Sequence, residues 1–264
     1  MSAGAAATSV SLASASAAVN SKGCARWDPA SQTALVVRAK GKYMPTMGFA
    51  LDGQRLFPEE AVFLADSDEI DLVVHAGEEG DKALSKVRTM ALLGLCSIDM
   101  KAYTVYAALR EQRFHVYRHG AWQRSSGRAW RDLPSPRVVR AHSADGEELV
   151  NPMKRVRTLE QDNVGDGINQ LFISFDVYRP QSGFSKNRMP KPDFSLIILS
   201  SEGSIPSVAL LRATLKANDP SIPLRLAIVG DSSLTFIEVS DFDPKAEMAS
   251  QSGVDDAKPA ESTA

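Results

Sequence analysis

The stretch from Gly41 to Phe49 constrains the fold of this chain more than any other. It combines glycines, a proline and aromatic residues in a density that suits neither an ordinary helix nor a strand. Downstream, Pro58 fits the first position of a helix, where its missing N–H is no loss. Glu59 and Glu60 then fall at the positive end of the helix dipole. The sequence therefore predicts a rigid loop that leads into a helix.

These segments also carry a family resemblance. The Gly-Lys-aromatic loop Gly41–Gly48 and the Pro-Glu-Glu-Ala helix start Pro58–Leu64 resemble the amino-terminal region of the large non-catalytic subunit of eukaryotic tRNA-splicing endonucleases. Trp27–Pro29 fits the opening of the same family. The resemblance extends over residues 27–120 and 171–243. Members of this class often carry a long charged insertion between the two parts, which this chain lacks.

Composition excludes several kinds of protein. A formal net charge of −2 excludes a uniformly basic nucleic-acid binder, although a local basic face remains compatible with it. Cys24 and Cys96 lie far apart and outside any Cys/His cluster, so we expect no structural metal, no disulfide scaffold and no cofactor. No run approaches the roughly 18 apolar residues of a membrane span, so we expect no membrane partner.

The chain divides into five parts by composition. The Ala- and Ser-rich residues 1–24 and the acidic residues 244–264 have too few apolar side chains to offset the entropy of ordering, so we expect disordered tails. Residues 25–120 form an amino-terminal part and residues 169–243 a carboxy-terminal domain. Residues 121–168, rich in arginine and proline, form a basic connecting segment.

Periodicity predicts the elements of the amino-terminal part. We expect a strand at Thr33–Arg38, a hairpin at Phe49–Phe57 with its turn at Asp52-Gly53, a helix at Pro58–Asp66 and a strand at Ile70–Val74.

A pair of helices and a strand follow. The first helix, Lys82–Leu95, should bury Leu84, Val87, Leu92 and Leu95 on one side. Ser97 should cap a second helix that ends at Gln112 and turns Tyr103, Tyr106 and Leu109 inward. The strand Phe114–Arg118 follows. This order resembles a winged-helix-like module.

The carboxy-terminal part has the pattern of a small α/β layer. We expect strands at Phe172–Tyr178, Phe194–Leu199, Leu224–Val229 and Leu234–Val239, and a helix at Val208–Ala217. The continuous apolar run at Phe194–Leu199 indicates a central strand that is covered on both faces. The layer resembles the domain shared by all subunits of tRNA-splicing endonucleases. The sequence thus predicts an α+β protein, with a winged-helix-like amino-terminal part.

The resemblance also says where catalytic residues should lie. The family cleaves RNA without metal through a tyrosine, a histidine at the start of the central strand, and a lysine at the start of the next buried strand. Here those places read Pro190–Phe194 and Ser221–Leu224, and no histidine follows His142. Proline and isoleucine cannot transfer a proton or stabilise charge. We therefore predict a subunit without a catalytic site.

An active, metal-independent RNA endonuclease is the alternative. It would use Tyr117, His142 and Lys154, which occur in the order of the family's catalytic residues. His142 and Lys154 lie in the connecting segment rather than at the mouths of core strands. A loop without a supporting shell does not hold a catalytic constellation in place.

Basic residues interleaved with aromatic ones indicate contact with RNA, because arginines neutralise phosphates and aromatic rings stack on exposed bases. Trp122 and Trp130 lie among the arginines. The alternative is that this basic segment docks onto an acidic partner subunit. The candidate RNA-binding residues are Lys42, Arg118, Arg124, Arg128, Arg131, Arg137 and Arg140.

The last strand supplies candidate interface residues. The resemblance implies that carboxy-terminal strands pair between subunits, which points to Phe236, Ile237 and Val239. It also implies an acidic loop that enters a basic pocket of a neighbour, for which Asp231 is the best match, although a plain turn aspartate fits equally well. The implied assembly is a heterotetramer of catalytic and structural subunits that handles precursor tRNA, in the nucleus or at an organelle surface. A free-standing winged-helix nucleic-acid-binding protein is a further alternative.

Overall fold

The computed structural model describes residues 22–77, 80–121, 133–139, 171–180, 184–186, 188–203 and 205–240. Two six-stranded sheets and four α-helices make up this part of the chain, which confirms the predicted α+β class. The first strand begins at Gly23, inside the predicted amino-terminal tail. The rest of that tail, residues 1–21, and the whole carboxy-terminal tail lie outside the described residues.

The first sheet has the strand order β3-β4-β2-β1-β5-β6. Only β1 and β5 run parallel, and β2, β3, β4 and helix α1 (Pro58–Asp66) connect them along the chain. The predicted strands at Thr33 and Ile70 and the Asp52-Gly53 turn are confirmed. The strands are β1 (Gly23–Asp28), β2 (Thr33–Arg38), β3 (Phe49–Ala50), β4 (Gln54–Leu56), β5 (Ile70–His75) and β6 (Asp81–Ala83).

Helices α2 (Lys86–Leu95) and α3 (Met100–Glu111) follow the first sheet. The predicted buried face of α2 is partly wrong, since Val87 is 80% and Leu95 72% exposed, whereas Leu92 is buried. In the part of the chain that the structure describes, no single helix has the length and apolar content of a membrane span. Helices α2 and α3 have this length and apolar content only when taken together, and the chain bends by 118° between them.

The second sheet has the order β12-β11-β10-β9-β7, with β8 also paired to β10. Helix α4 (Val208–Ala217) connects the parallel strands β10 and β11. All seven residues of β10 are buried, as predicted for a central strand. The strands are β7 (His115–Arg118), β8 (Val138–Val139), β9 (Phe175–Tyr178), β10 (Phe194–Ser200), β11 (Leu224–Val229) and β12 (Leu234–Val239).

One of the hydrophobic clusters contains buried residues from both sheets. β7, which the sequence assigns to the amino-terminal part, pairs antiparallel with β9 in the second sheet. Tyr106 of α3 lies between the sheets, with its ring centroid 6.0 Å from that of Phe63 and 5.8 Å from that of Phe175. Tyr103, Tyr106 and Leu109 are buried, as predicted. The winged-helix likeness stays a prediction.

Candidate subunit and RNA-binding surfaces

The Gly41–Gly48 loop owes its path to glycines that accept left-handed backbone angles. Gly41 has a φ of 96° and Gly48 a φ of 70°, and other residues are strained at such angles. A Cβ atom at Gly48 would lie 2.2 Å from the backbone oxygen of Arg55. The space at Gly48 thus admits only glycine, which explains the end of the sequence motif.

Glu60 joins the loop to helix α1. Its two carboxylate oxygens accept the backbone N–H groups of Gly48 and Phe57, each at 2.9 Å. Phe57 is the residue that precedes the helix, so this second bond also caps the helix start. Burial raises the pKa of Glu60 to about 7, although both hydrogen bonds act in the opposite direction. Glu60, the second glutamate of the Pro-Glu-Glu motif, therefore has a structural role, because it binds both the loop and the start of the helix.

Three further side chains hold the loop. Gln54 donates from Nε2 to the carbonyl oxygens of Met44 and Met47, at 3.0 Å each. The Tyr117 hydroxyl, on β7 of the second sheet, donates to the Thr46 carbonyl at 2.6 Å. Lys186 donates to the Met47 carbonyl at 2.8 Å. The loop is thus fixed to both sheets at once.

Arg118, a candidate RNA-binding residue, lies in the interior. Its Nε and Nη2 atoms reach the two carboxylate oxygens of Glu59 at 2.7 and 2.8 Å. The guanidinium also lies over the ring of Phe57, 4.1 Å from its centroid. Arg118 is 7% exposed and Glu59 1%. The positive charge of Arg118 is thus paired with the carboxylate of Glu59 inside the protein.

Lys42 is exposed and lies at a pocket that the sequence did not reveal. The pocket has a volume of about 500 Å³ and forms between the Gly41–Gly48 loop, the end of α3 and the start of β7. We call it the basic pocket; its lining includes Lys42, Tyr43, Arg110, Arg113, His115 and Pro180. Arg110 and Arg113 are distant from Lys42 in the sequence, and the fold brings them beside it.

The remaining candidate RNA-binding residues are not gathered at this pocket. Arg137 is exposed just before β8, with its guanidinium 5.3 Å from the ring centroid of Phe172. Its backbone N–H donates to Ser174 Oγ, which in turn donates to the Arg137 carbonyl. The other four candidates lie outside the described residues: Arg124, Arg128, Arg131 and Arg140.

Strand β12 forms one edge of the second sheet. Within the described residues it pairs only with β11, in the register Leu226–Ile237 and Ala227–Phe236. Phe236 is 36% and Ile237 45% exposed, a large fraction for apolar side chains in a strand. Val239 is half-buried and packs on the core. Apolar side chains on an unpaired strand edge are typical of a surface that adds another strand.

Asp231 lies in the turn before β12. It is exposed, and the turn is closed by a hydrogen bond from the Gly230 N–H to the Ser233 carbonyl at 2.9 Å. A neighbouring chain can therefore reach its carboxylate.

The resemblance places catalytic residues at the end of the sheet where β10 and β11 begin, but other side chains lie there. β10 and β11 run parallel, so their first residues lie side by side at this end of the sheet. There, Lys191 Nζ donates to Asp219 Oδ2 at 2.8 Å and to Ser221 Oγ at 2.9 Å. The hydrogen bond from Lys191 and those from Ser221 lower the pKa of Asp219 to about 2.

Of the three residues of the catalytic alternative, the structure describes only Tyr117. Tyr117 is 4% exposed, its hydroxyl is engaged by Thr46, and burial raises its pKa. His142 and Lys154 lie outside the described residues. Among the residues that the structure does describe, no group of three His, Cys, Asp or Glu side chains is placed to hold a metal ion.

Comparison with known proteins bears on the amino-terminal part. Residues 12–74 match a family model described as tRNA-splicing endonuclease subunit sen54 N-term. No curated protein matches the chain at a significant level. The matched span includes β1 to β4, helix α1, β5 except for His75, the Gly41–Gly48 loop and the Glu60 side chain that binds this loop. The resemblance read from the sequence is confirmed: through residues 12–74, this chain is similar to the sen54 subunit of the tRNA-splicing endonuclease.

Proposed function

We propose that the protein is a non-catalytic structural subunit of a tRNA-splicing endonuclease. In this role it holds a catalytic nuclease subunit and helps to position precursor tRNA for intron excision. The assembly would be a heterotetramer with a second catalytic subunit and a small structural subunit. It would act in the nucleus, with an organelle surface as the alternative location.

The exposed edge of β12 is the observation that carries the scaffold role. A sheet that ends in a strand with exposed Phe236 and Ile237 offers both backbone hydrogen-bonding groups and apolar side chains to a second chain. Addition of a partner's strand would satisfy the backbone groups and bury both side chains. Asp231, exposed in the adjoining turn, would contact a different neighbour.

The side chains at the starts of β10 and β11 support the lack of a catalytic role. Lys191 is the nearest basic residue in sequence to the start of β10, and its ammonium group is engaged by Asp219 and Ser221. Cleavage through a ribose 2′-hydroxyl needs a general base and a general acid near the scissile phosphate. Proline and isoleucine at the corresponding positions supply neither.

Purification from the native cells tests this proposal. The tagged full chain is isolated with its partners, and the eluate is assayed on intron-containing precursor tRNA beside the recombinant chain alone. We expect cleavage by the eluate and none by the chain. Cleavage by the chain alone would establish an active endonuclease and direct attention to His142. No activity and no partners in the eluate would favour a free-standing nucleic-acid-binding protein.

The RNA-binding role of the basic segment has its own test. Arg124, Arg128 and Arg131 are changed together to glutamate in the assembled complex. We expect weaker binding of precursor tRNA and a smaller dependence of affinity on salt, because three phosphate contacts are lost. Unchanged tRNA affinity with weakened assembly would show instead that the segment docks onto a partner subunit.

A further inference from the structure

The basic pocket contains a buried cation that the protein pairs incompletely. Arg110 is 1% exposed. Its Nη1 donates to the Phe114 carbonyl at 3.0 Å and its Nη2 to Thr46 Oγ1 at 3.4 Å, whereas Nε has no partner among the described residues. Both of these acceptors are neutral. A buried guanidinium without an anionic partner is costly, and an anion from outside would relieve that cost.

The protein's own carboxylates do not fill this role. Glu60 interacts with Arg110 electrostatically, but its two oxygens accept backbone N–H groups of Gly48 and Phe57. His115, which also lines the pocket, has a buried Nδ1 atom without a hydrogen-bond partner in the described structure. The pocket thus combines two unsatisfied nitrogen atoms with the cations of Lys42 and Arg113.

Arg113 occupies a backbone position that favours glycine. Helix α3 ends with two hydrogen bonds, from the Arg113 N–H to the Arg110 carbonyl and from the Phe114 N–H to the Leu109 carbonyl. This is the Schellman arrangement, whose left-handed residue is usually glycine. Arg113 takes that place with a φ of 70°. The side chain at this strained position lines the pocket.

The shape and walls of the pocket indicate the class of anion. A volume of about 500 Å³ is large for a bare ion and falls within the range of small-ligand sites. Tyr43 and Pro180 supply flat apolar surface, and the Tyr43 ring already lies near Lys42 and Arg110, at 4.9 and 5.5 Å. The negative end of the α3 dipole opposes an anion, but it carries only about half a charge against several cations.

We propose that the basic pocket binds the phosphate of a nucleotide, with Arg110 as the buried cation and Lys42 and Arg113 as exposed ones. The base would lie against the apolar wall of Tyr43 and Pro180. That RNA supplies this nucleotide rests on the proposed function, whereas the phosphate site itself does not.

A pair of glycine variants tests the site. Arg113→Gly removes the cation and relieves the backbone strain, so the variant should unfold at an unchanged or higher temperature. Ser97→Gly is the matched control, because Ser97 holds the same left-handed position at the end of α2, with a φ of 56°, and does not line the pocket. Binding of adenosine monophosphate, adenosine and a short single-stranded RNA to the full chain is measured by calorimetry.

We expect adenosine monophosphate to bind and adenosine to bind far more weakly. Arg113→Gly should weaken nucleotide binding by about 10-fold or more, while Ser97→Gly leaves it unchanged. Equal binding of adenosine and its phosphate, or wild-type affinity in Arg113→Gly, would overturn the proposal. Tighter binding of the RNA, lost in Arg113→Gly, identifies RNA as the source, and binding of the mononucleotide alone identifies a free nucleotide.

The same variant in the assembled complex separates this inference from the proposed function. A complex that carries Arg113→Gly and cleaves precursor tRNA normally, although the isolated chain has lost nucleotide binding, leaves the phosphate site standing and removes its role in tRNA handling. Absence of nuclease partners with intact nucleotide binding would refute the scaffold role alone.

Discussion

Arg118 and Glu59 form a two-pronged ion pair inside the protein, with N–O distances of 2.7 and 2.8 Å and both residues almost fully buried. The pair links β7 of the second sheet to helix α1 beside the first. Two buried charges in this geometry depend on each other, because the loss of one leaves the other without compensation.

Arg118→Met should therefore lower the free energy of unfolding by about 3–5 kcal/mol. Urea denaturation of the full chain measures the change. Arg88→Met, on the exposed side of α2, serves as the control and should change stability by less than about 0.5 kcal/mol. Equal stability of both variants would show that the pair contributes nothing to the fold.

Gly48→Ala should destabilise the protein by about 2–4 kcal/mol, because the left-handed backbone and the close Arg55 carbonyl both resist a Cβ atom. Gly94→Ala is a matched control within helix α2, where a Cβ atom would meet nothing within 4 Å. It should leave stability unchanged or raise it by up to about 1 kcal/mol. A thermal melt of the two variants that ranks them in the opposite order would contradict the role of the loop.

Glu60 should make stability depend on pH. Between pH 4.5 and 7 the folded chain keeps a proton on Glu60 that the unfolded chain has released, so the free energy of unfolding falls as the pH rises through this window. The shift corresponds to a change on the order of 3 kcal/mol. In urea titrations across this pH window, the free energy of unfolding of the wild type relative to that of Glu60→Gln should fall as the pH rises. Glu111→Gln, at an exposed position, should show no such difference.

Ile237→Glu should reduce recovery of the proposed nuclease partner with the tagged chain by about 10-fold or more, because a charge would be buried at the proposed pairing edge. Val87→Glu is the control, since Val87 is also an exposed apolar side chain but lies on α2. Quantitative mass spectrometry of the eluates compares the two. If both variants retained the partner equally, β12 would not be the pairing edge.

Asp231→Lys should weaken the proposed four-subunit complex and leave the proposed pair with the catalytic subunit intact, because the turn lies beside β12 rather than within it. Mass measurement of the intact assemblies separates the two species. Loss of both species together would assign Asp231 to the pairing edge instead.

Three carboxy-terminal elements are predicted closely from the sequence, whereas the strand predicted at Phe172–Tyr178 begins at Phe175. The bounds of α4, β11 and β12 agree with those observed, because each apolar run there is bounded by proline, glycine or a polar turn. The sequence does not indicate strand β1, because its buried residues include small ones such as Ala25, next to an Ala- and Ser-rich segment.

Other errors came from local signals with two meanings. The sequence predicts Ser97 as the cap of α3, yet Ser97 ends α2 in a left-handed conformation, and Asp99 caps α3 by accepting a hydrogen bond from the Lys101 N–H. The buried pair of Arg118 and the basic pocket could not be predicted. Each joins segments that are distant in sequence, and a single sequence carries no signal for such contacts.

The pairing of β7 with β9 has a consequence for the folding of this protein during its synthesis. β7 and helix α3 leave the ribosome well before residues 175–178, and among the described strands β9 is the one that pairs with β7. Phe175, which meets Tyr106 in the core, arrives with the same late segment. We therefore expect the interior of the amino-terminal half to be completed only after the carboxy-terminal half has been synthesised.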